Sequence, residues 1–217
     1  LGMSYYRTGV YSQVPVTLGE VTANKDALTQ NAYLHMGLAY LQLADKNKAR
    51  MAFEQAAASD ADLKIKEQAS YNNALCIHET SYSAFGESVT VFENFLNEFP
   101  NSAYADKVSS YLVEVYMNTR SYDAALKSIE RITHPVRAIL EAKQKILFQL
   151  GTQSFANTQF EQAIGCFTQS IALGGYNLQT KADALYWRGE SYYRLNRMQE
   201  AARNFNDYLS LTPQKNT

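Results

Sequence analysis

A small residue followed four positions later by a bulky apolar one recurs six times along this 217-residue chain, as Val14/Leu18, Ala49/Phe53, Ser88/Phe92, Ala125/Ile129, Ala163/Phe167 and Ala201/Phe205. The pairs begin at 14, 49, 88, 125, 163 and 201, so successive starts lie 35, 39, 37, 38 and 38 residues apart. A period of this size constrains the fold more tightly than composition does. Each unit is one supersecondary element, and units must stack to bury apolar faces that none can bury alone.

A second marker precedes each pair: Gly2/Tyr5, Gly37/Tyr40, Ala74/Ile77, Val113/Tyr116, Gly151/Ser154 and Gly189/Tyr192. It leads its pair by 12 residues in five repeats and by 14 in the third, which predicts a two-residue insertion within 80–84. With only four prolines and ten glycines, the chain has too little turn punctuation for a strand-rich fold. The spacing therefore predicts paired helices over 1–8 and 11–23, 26–44 and 46–59, 62–80 and 85–98, 101–119 and 122–133, 136–156 and 160–173, and 178–195 and 198–211. Pro100, Pro135 and Pro213, with Gly174-Gly175, fall at predicted helix ends. Gly37, Gly151 and Gly189 are expected to let two helices approach closely. Ala49, Ala163 and Ala201 do the same from the facing helix, while Phe53, Phe167 and Phe205 fill the space between neighbouring repeats.

These residues resemble the tetratricopeptide repeat pattern W-x₂-L-G-x₂-Y, then A-x₃-F, then P. The second repeat carries it as Tyr33, Met36, Gly37, Tyr40, Ala49 and Phe53, and the sixth as Leu185, Gly189, Tyr192, Ala201, Phe205 and Pro213. Arg188, Ser88, Ile129 and Ser154 depart from it. The resemblance implies an all-α solenoid of about six helix-turn-helix repeats in a right-handed superhelix, forming one domain over 1–217. Its repeats are 1–24, 25–61, 62–100, 101–135, 136–175 and 176–213. The chain enters the first repeat part-way through a helix and has no polar capping helix after the sixth, so it is expected to be a piece of a longer protein.

In the resembled family the first helix of each repeat lines a concave face that holds partner segments. Carried over by position, that face takes Tyr71, Asn72, Tyr111, Glu114, Phe148 and Phe155. In the last repeat it takes Tyr186, Trp187, Glu190, Tyr193 and Arg194. Tyr186, Glu190 and Tyr193 stand at i, i+4 and i+7, a single helix face, and Trp, Tyr and Arg are frequent hot-spot residues. The competing assignment for these aromatics is core packing, or cover by a further repeat. The resemblance thus implies a protein-interaction scaffold with a protein or peptide partner. Two other readings stay open: a carbohydrate- or peptidoglycan-contacting module, and an accessory domain of a longer enzyme. Phe99 to Ala105 and Ala184 to Glu190 also resemble repeats of bacterial cell-envelope assembly proteins, which favours the periplasm over the cytoplasm.

Catalytic chemistry is not expected. His35, His78 and His134 lie in different repeats without metal-ligand spacing, so no metal or cofactor is expected. Cys76 and Cys166 lie 90 residues apart and read as small packed thiols. A net charge of −1 offers no excess of cations for nucleic acid, and no apolar run approaches the length of a membrane-spanning helix. The state of association is left open.

Overall fold

A computed structural model describes residues 1–22, 26–80, 86–119 and 121–211, and among the described residues every regular element is a helix. In order these are α1 (Gly2–Arg7), α2 (Gln13–Gly19), α3 (Ala27–Gln42), α4 (Lys46–Ala57), α5 (Leu63–Thr80) and α6 (Glu87–Glu98). Then come α7 (Ala105–Asn118), α8 (Tyr122–Glu130), α9 (Arg137–Ala156), α10 (Phe160–Ala172), α11 (Leu178–Arg194) and α12 (Met198–Leu211). The predicted all-α hairpins are present, with two notable differences in extent. Helix α7 starts at Ala105 rather than 101, because Ser102 turns the chain, accepting the Tyr104 N–H on Oγ and the Ala105 N–H on its carbonyl. Helix α2 stops at Gly19 rather than 23. The insertion expected within 80–84 and the helix end at Pro213 lie outside the described residues, apart from Thr80.

Side-chain caps set several starts. Asp26, Asp45 and Asn177 each accept a backbone N–H three residues on, from Thr29, Lys48 and Thr180, at 2.8, 3.1 and 2.9 Å. The capping N–H bonds hold the Asp26 and Asp45 carboxyls below their ordinary pKa. Turns within the hairpins follow one pattern. Gly9, Ala44, Thr158 and Asn196, each seven residues after its marker, adopt φ of 78°, 58°, 60° and 60°. At each turn the next N–H bonds back to a carbonyl five residues earlier, as Asp45 to Tyr40 and Arg197 to Tyr192 do at 2.9 Å. This is the Schellman closure, which satisfies carbonyls the helix end would leave bare.

The repeat glycines are close-approach sites. A Cβ built on Gly37 would lie 2.5 Å from Phe53 Cε1, one on Gly151 2.5 Å from Phe167 Cε1, and one on Gly189 2.8 Å from Phe205 Cε1. Each ring thus rests on the glycine of its own hairpin. Phe53 also clusters with Ala69 and Cys76 of α5, and Phe167 with Ala184 of α11, so the same ring joins one repeat to the next.

The chain divides into two compact units, Leu1–Val108 and Ser109–Thr217. Within the first, each helix from α1 to α5 packs on its successor, and α1 and α5 also touch α3. In the second, α8 to α12 pack serially, and α9 also touches α11. First helices of successive repeats therefore lie side by side in each unit.

Two buried glutamines tie these first helices together. Gln30 Nε2 donates to the carbonyls of Ala56, Ser59 and Asp62, and its Oε1 accepts the Asp62 N–H at 2.8 Å. Gln144 repeats the device, donating to the Asn177 carbonyl at 2.8 Å and accepting the Asn177 N–H at 2.9 Å. Both stand seven residues before the repeat glycine and reach the start of the next repeat's first helix. The sequence reading missed them, although their shared register was available to find them.

Candidate functional site

The residues proposed for a partner-binding face come from α5, α7, α9 and α11, and they meet different fates. In the first unit Tyr71 is buried, stacked on Tyr104 with centroids 4.1 Å apart and tilted against Phe95 at 6.1 Å. It serves packing between α5 and the segment before α7. Asn72 is half-buried and donates to the Gln68 carbonyl at 2.8 Å.

In the second unit Tyr111 is half-buried and Glu114 exposed, both on α7. Helix α9 carries Phe148, whose ring lies 5.8 Å from Phe167, and Phe155, which meets Phe160 at 5.3 Å and Trp187 at 5.1 Å, edge to face. Trp187 on α11 in turn meets Tyr186 at 5.6 Å, and Tyr186 reaches Phe205 and Tyr208 of α12 at 5.7 and 5.5 Å. The rings thus form a line from α10 through α9 and α11 to α12. Such offset and edge-on pairs add roughly 0.5–1.5 kcal/mol each beyond burial.

Burial divides this line by role. Phe148, Phe155 and Trp187 are partly covered and pack against the Ala163–Phe167–Ala184 core. Tyr186 is 38% and Tyr193 53% exposed, half-buried Glu190 lies between them in sequence, and Arg194 is exposed beside Tyr193. On the opposite side of α11, Arg188, noted from sequence only as a departure from the repeat pattern, donates from Nε to Asn204 Oδ1 at 2.7 Å and from Nη1 to Thr168 Oγ1 at 3.0 Å. Burial draws its pKa below the ordinary arginine value. It links α10, α11 and α12.

The polar chemistry elsewhere is structural. His35 Nδ1 lies 3.0 Å from the Asn31 carbonyl and its ring meets Tyr6 edge-on at 5.4 Å. The Cys76 thiol is pushed up to about 11 by burial first and the Glu79 carboxylate second. Burial likewise raises Cys166, and the thiolate that would make either a nucleophile is disfavoured. Glu79 is paired with Lys46 at 2.9 Å. Among the described residues no group of three or more His, Cys, Asp or Glu could hold a metal ion, and no described helix is long and apolar enough to cross a membrane.

Two family models match the chain, both described as tetratricopeptide repeat: one over residues 148–216 and another over 30–63. No curated protein matches it. Among solved structures it is similar to MamA from Desulfovibrio magneticus RS-1, at 17% identity over 87% of this chain and 97% of that one, with a TM-score of 0.36. It is also similar to the apo form of the quorum sensor NprR from B. thuringiensis, at 14% identity over 99% of this chain and 65% of that one, with a TM-score of 0.41.

Proposed function

Since this chain is a tetratricopeptide repeat protein, and hence in general a protein-interaction scaffold, we propose that it binds a peptide or helix of a partner protein on the first-helix face of its second unit. The observation that carries this reading is the partition of the aromatic line. Its inner members, Phe155 and Trp187, are held by neighbouring rings, while Tyr186 at its outer end keeps 38% of its surface open and Tyr193, seven residues further along α11, keeps 53%. A rigid, pre-ordered tyrosine loses little entropy on binding and offers both a ring face and a hydroxyl. Glu190 and Arg194 supply one charge of each sign beside them, which suits a mixed peptide rather than a polyanion.

Tetratricopeptide repeats are typically non-catalytic, and the proposed activity is binding alone. In this reading Tyr193, Tyr186, Glu190 and Arg194 make contact. Phe148, Phe155 and Trp187 hold the face in place, and Tyr111 and Glu114 extend it along α7. Tyr71 and Asn72 belong to the first unit and contribute there. The reading also takes 1–217 as one domain; coincident unfolding by Trp187 fluorescence and by far-ultraviolet ellipticity would bear that out, and separated transitions would refute it.

The test uses a partner recovered by affinity capture with the complete protein. Tyr193→Ala should weaken its binding about tenfold or more with helicity unchanged, since that ring is the most open of the set. Trp187→Ala is the poorer probe, because Trp187 also packs on the core. Unchanged affinity in a Tyr186→Ala, Tyr193→Ala double variant would remove the assignment.

A further inference from the structure

The first unit holds an apolar groove that the reading above does not use. It encloses about 510 Å3 between α3 and α4, and its walls are Tyr33, Met36 and Tyr40 on one helix and Met51, Ala52 and Gln55 on the other. Met51 is 66% exposed. The charged residues at the rim are already paired on their own helix, Lys48 with Asp45 at 3.0 Å and Glu54 with Arg50 at 2.9 Å. Its floor is thus apolar and its rim electrically satisfied.

The repeat provides its own comparison. Counted from the marker in the first helix and from the small residue of the pair in the second, Tyr33, Met36, Ala52 and Gln55 correspond to Ser70, Asn73, Val91 and Asn94 of the third repeat. Those four line a cavity of only about 160 Å3, and Ala57, from the end of the preceding α4, lines it with them. In the sixth repeat the equivalent residues Leu185, Arg188 and Asp207 line a cavity of about 360 Å3, joined by Ile171 from the end of α10. Ala57 and Ile171 each stand eight residues after the small residue of their pair, at 49 and 163. The counterpart in the first repeat is Thr22, eight after Val14.

Helix α2 ends at Gly19, before that position, and the Thr22 hydroxyl instead donates to the Gly19 carbonyl at 2.8 Å. Neither Thr22 nor any residue of α2 lines the groove. Where a preceding helix contributes a side chain, polar and apolar residues share the lining; where α2 stops short, Tyr33, Met36, Tyr40 and Met51 supply the large apolar side chains of the lining. Apolar side chains gathered in one open groove offer surface that a partner can cover, and methionines adapt to varied partners.

We propose that this groove is a second docking site, taking one apolar ridge of an amphipathic helix from a partner protein. The occupant follows from the chain itself, since in the third and sixth repeats the equivalent place receives an aliphatic side chain delivered by the last turn of a helix. The wall from Tyr33 to Tyr40 runs for roughly 10 Å, enough for two turns carrying aliphatic residues at i, i+3 or i+4, and i+7.

The test titrates the full chain, labelled with 13C at its methionine methyls, with a synthetic peptide of residues 160–173 (the α10 sequence that carries Ile171) made with Cys166→Ser. The Met36 and Met51 methyl signals should shift and saturate, while those of Met117 and Met198 stay in place. Met51→Lys should weaken the peptide about tenfold or more with ellipticity unchanged, and Ile171→Asn in the peptide should do the same. Tyr193→Ala in the chain should leave it unaffected, which separates this site from the face of the second unit. Unmoved Met36 and Met51 signals, shifts confined to Met117 or Met198, or equal binding by Met51→Lys would each overturn the proposal.

Discussion

The ring of Phe53 lies against the backbone of Gly37, close enough that a Cβ on that glycine would come within 2.5 Å of Cε1. Phe53 is fully buried, and its other neighbours include Ala69 and Cys76 of the next repeat. The ring therefore has no free side to move toward.

Gly37→Ala should accordingly destabilise the chain by about 1–3 kcal/mol, although alanine is the better helix former. Gly165→Ala supplies the control. Gly165 is an exposed interior residue of α10 with nothing within 4 Å of a built Cβ, so this change should stabilise by about 0.5–1 kcal/mol. Urea unfolding of the two variants should move in opposite directions; a neutral Gly37→Ala would mean that the ring is not pinned.

Gln144 is fully buried and satisfies both the N–H and the carbonyl of Asn177. Gln144→Leu leaves the Asn177 N–H without its acceptor and takes one of two donors from its carbonyl, which keeps the Lys181 N–H at 3.1 Å, and should cost about 1–3 kcal/mol at any pH. Gln144→Glu keeps the size but reaches the Asn177 carbonyl only when protonated. Burial raises the pKa of that carboxyl in the folded state, so its stabilisation is intact below the unfolded value of about 4.3 and is lost as pH rises through the folded value. Urea midpoints at about pH 4 and pH 8 should separate the two variants, and a pH-independent Gln144→Glu would count against the buried pairing.

Thr158 sits in the left-handed region at φ 60° where the α9–α10 hairpin turns, and its side chain is exposed. A β-branched residue is costly in that conformation. Thr158→Gly should raise stability by about 1 kcal/mol, visible as a higher melting temperature, whereas the same change at Gln159, outside the left-handed region, should not.

The Cys76 thiol, raised to about 11 against an ordinary 9.0 by burial and then by Glu79, links stability to alkaline pH. Its folded value exceeds its unfolded one, so the contribution is complete below about 9 and disappears as pH rises toward about 11. Cys76→Ser should flatten that part of the stability profile. Iodoacetamide should modify Cys76 slowly in the folded chain and rapidly in urea; fast labelling of folded protein at neutral pH would contradict the burial.

Much of this architecture was readable from spacing. Gly37 with Phe53, Gly151 with Phe167 and Gly189 with Phe205 hold one offset each time, and a small residue facing a ring has the same meaning wherever it recurs. Gln30 and Gln144 share a register as well, but a glutamine on a helix ordinarily faces solvent, so their burial is not legible from type alone. The early end of α2 had a signal too, in Gly19. The turns at Ala44 and Thr158 had none, since neither residue favours a left-handed backbone; the packing of the two helices imposes it.

The candidate face divides in the same way. Order along the chain places Tyr71, Trp187 and Tyr193 alike on first helices, because a helix repeats every 3.6 residues whatever surrounds it. Their different exposures arise from neighbours contributed by other segments: Tyr104 covers Tyr71, Phe155 and Tyr186 flank Trp187, and Tyr193 keeps 53% of its surface. Periodicity follows from local backbone geometry and is written in one strand of text, whereas burial is a property of assembled atoms and exists only once the hairpins have packed.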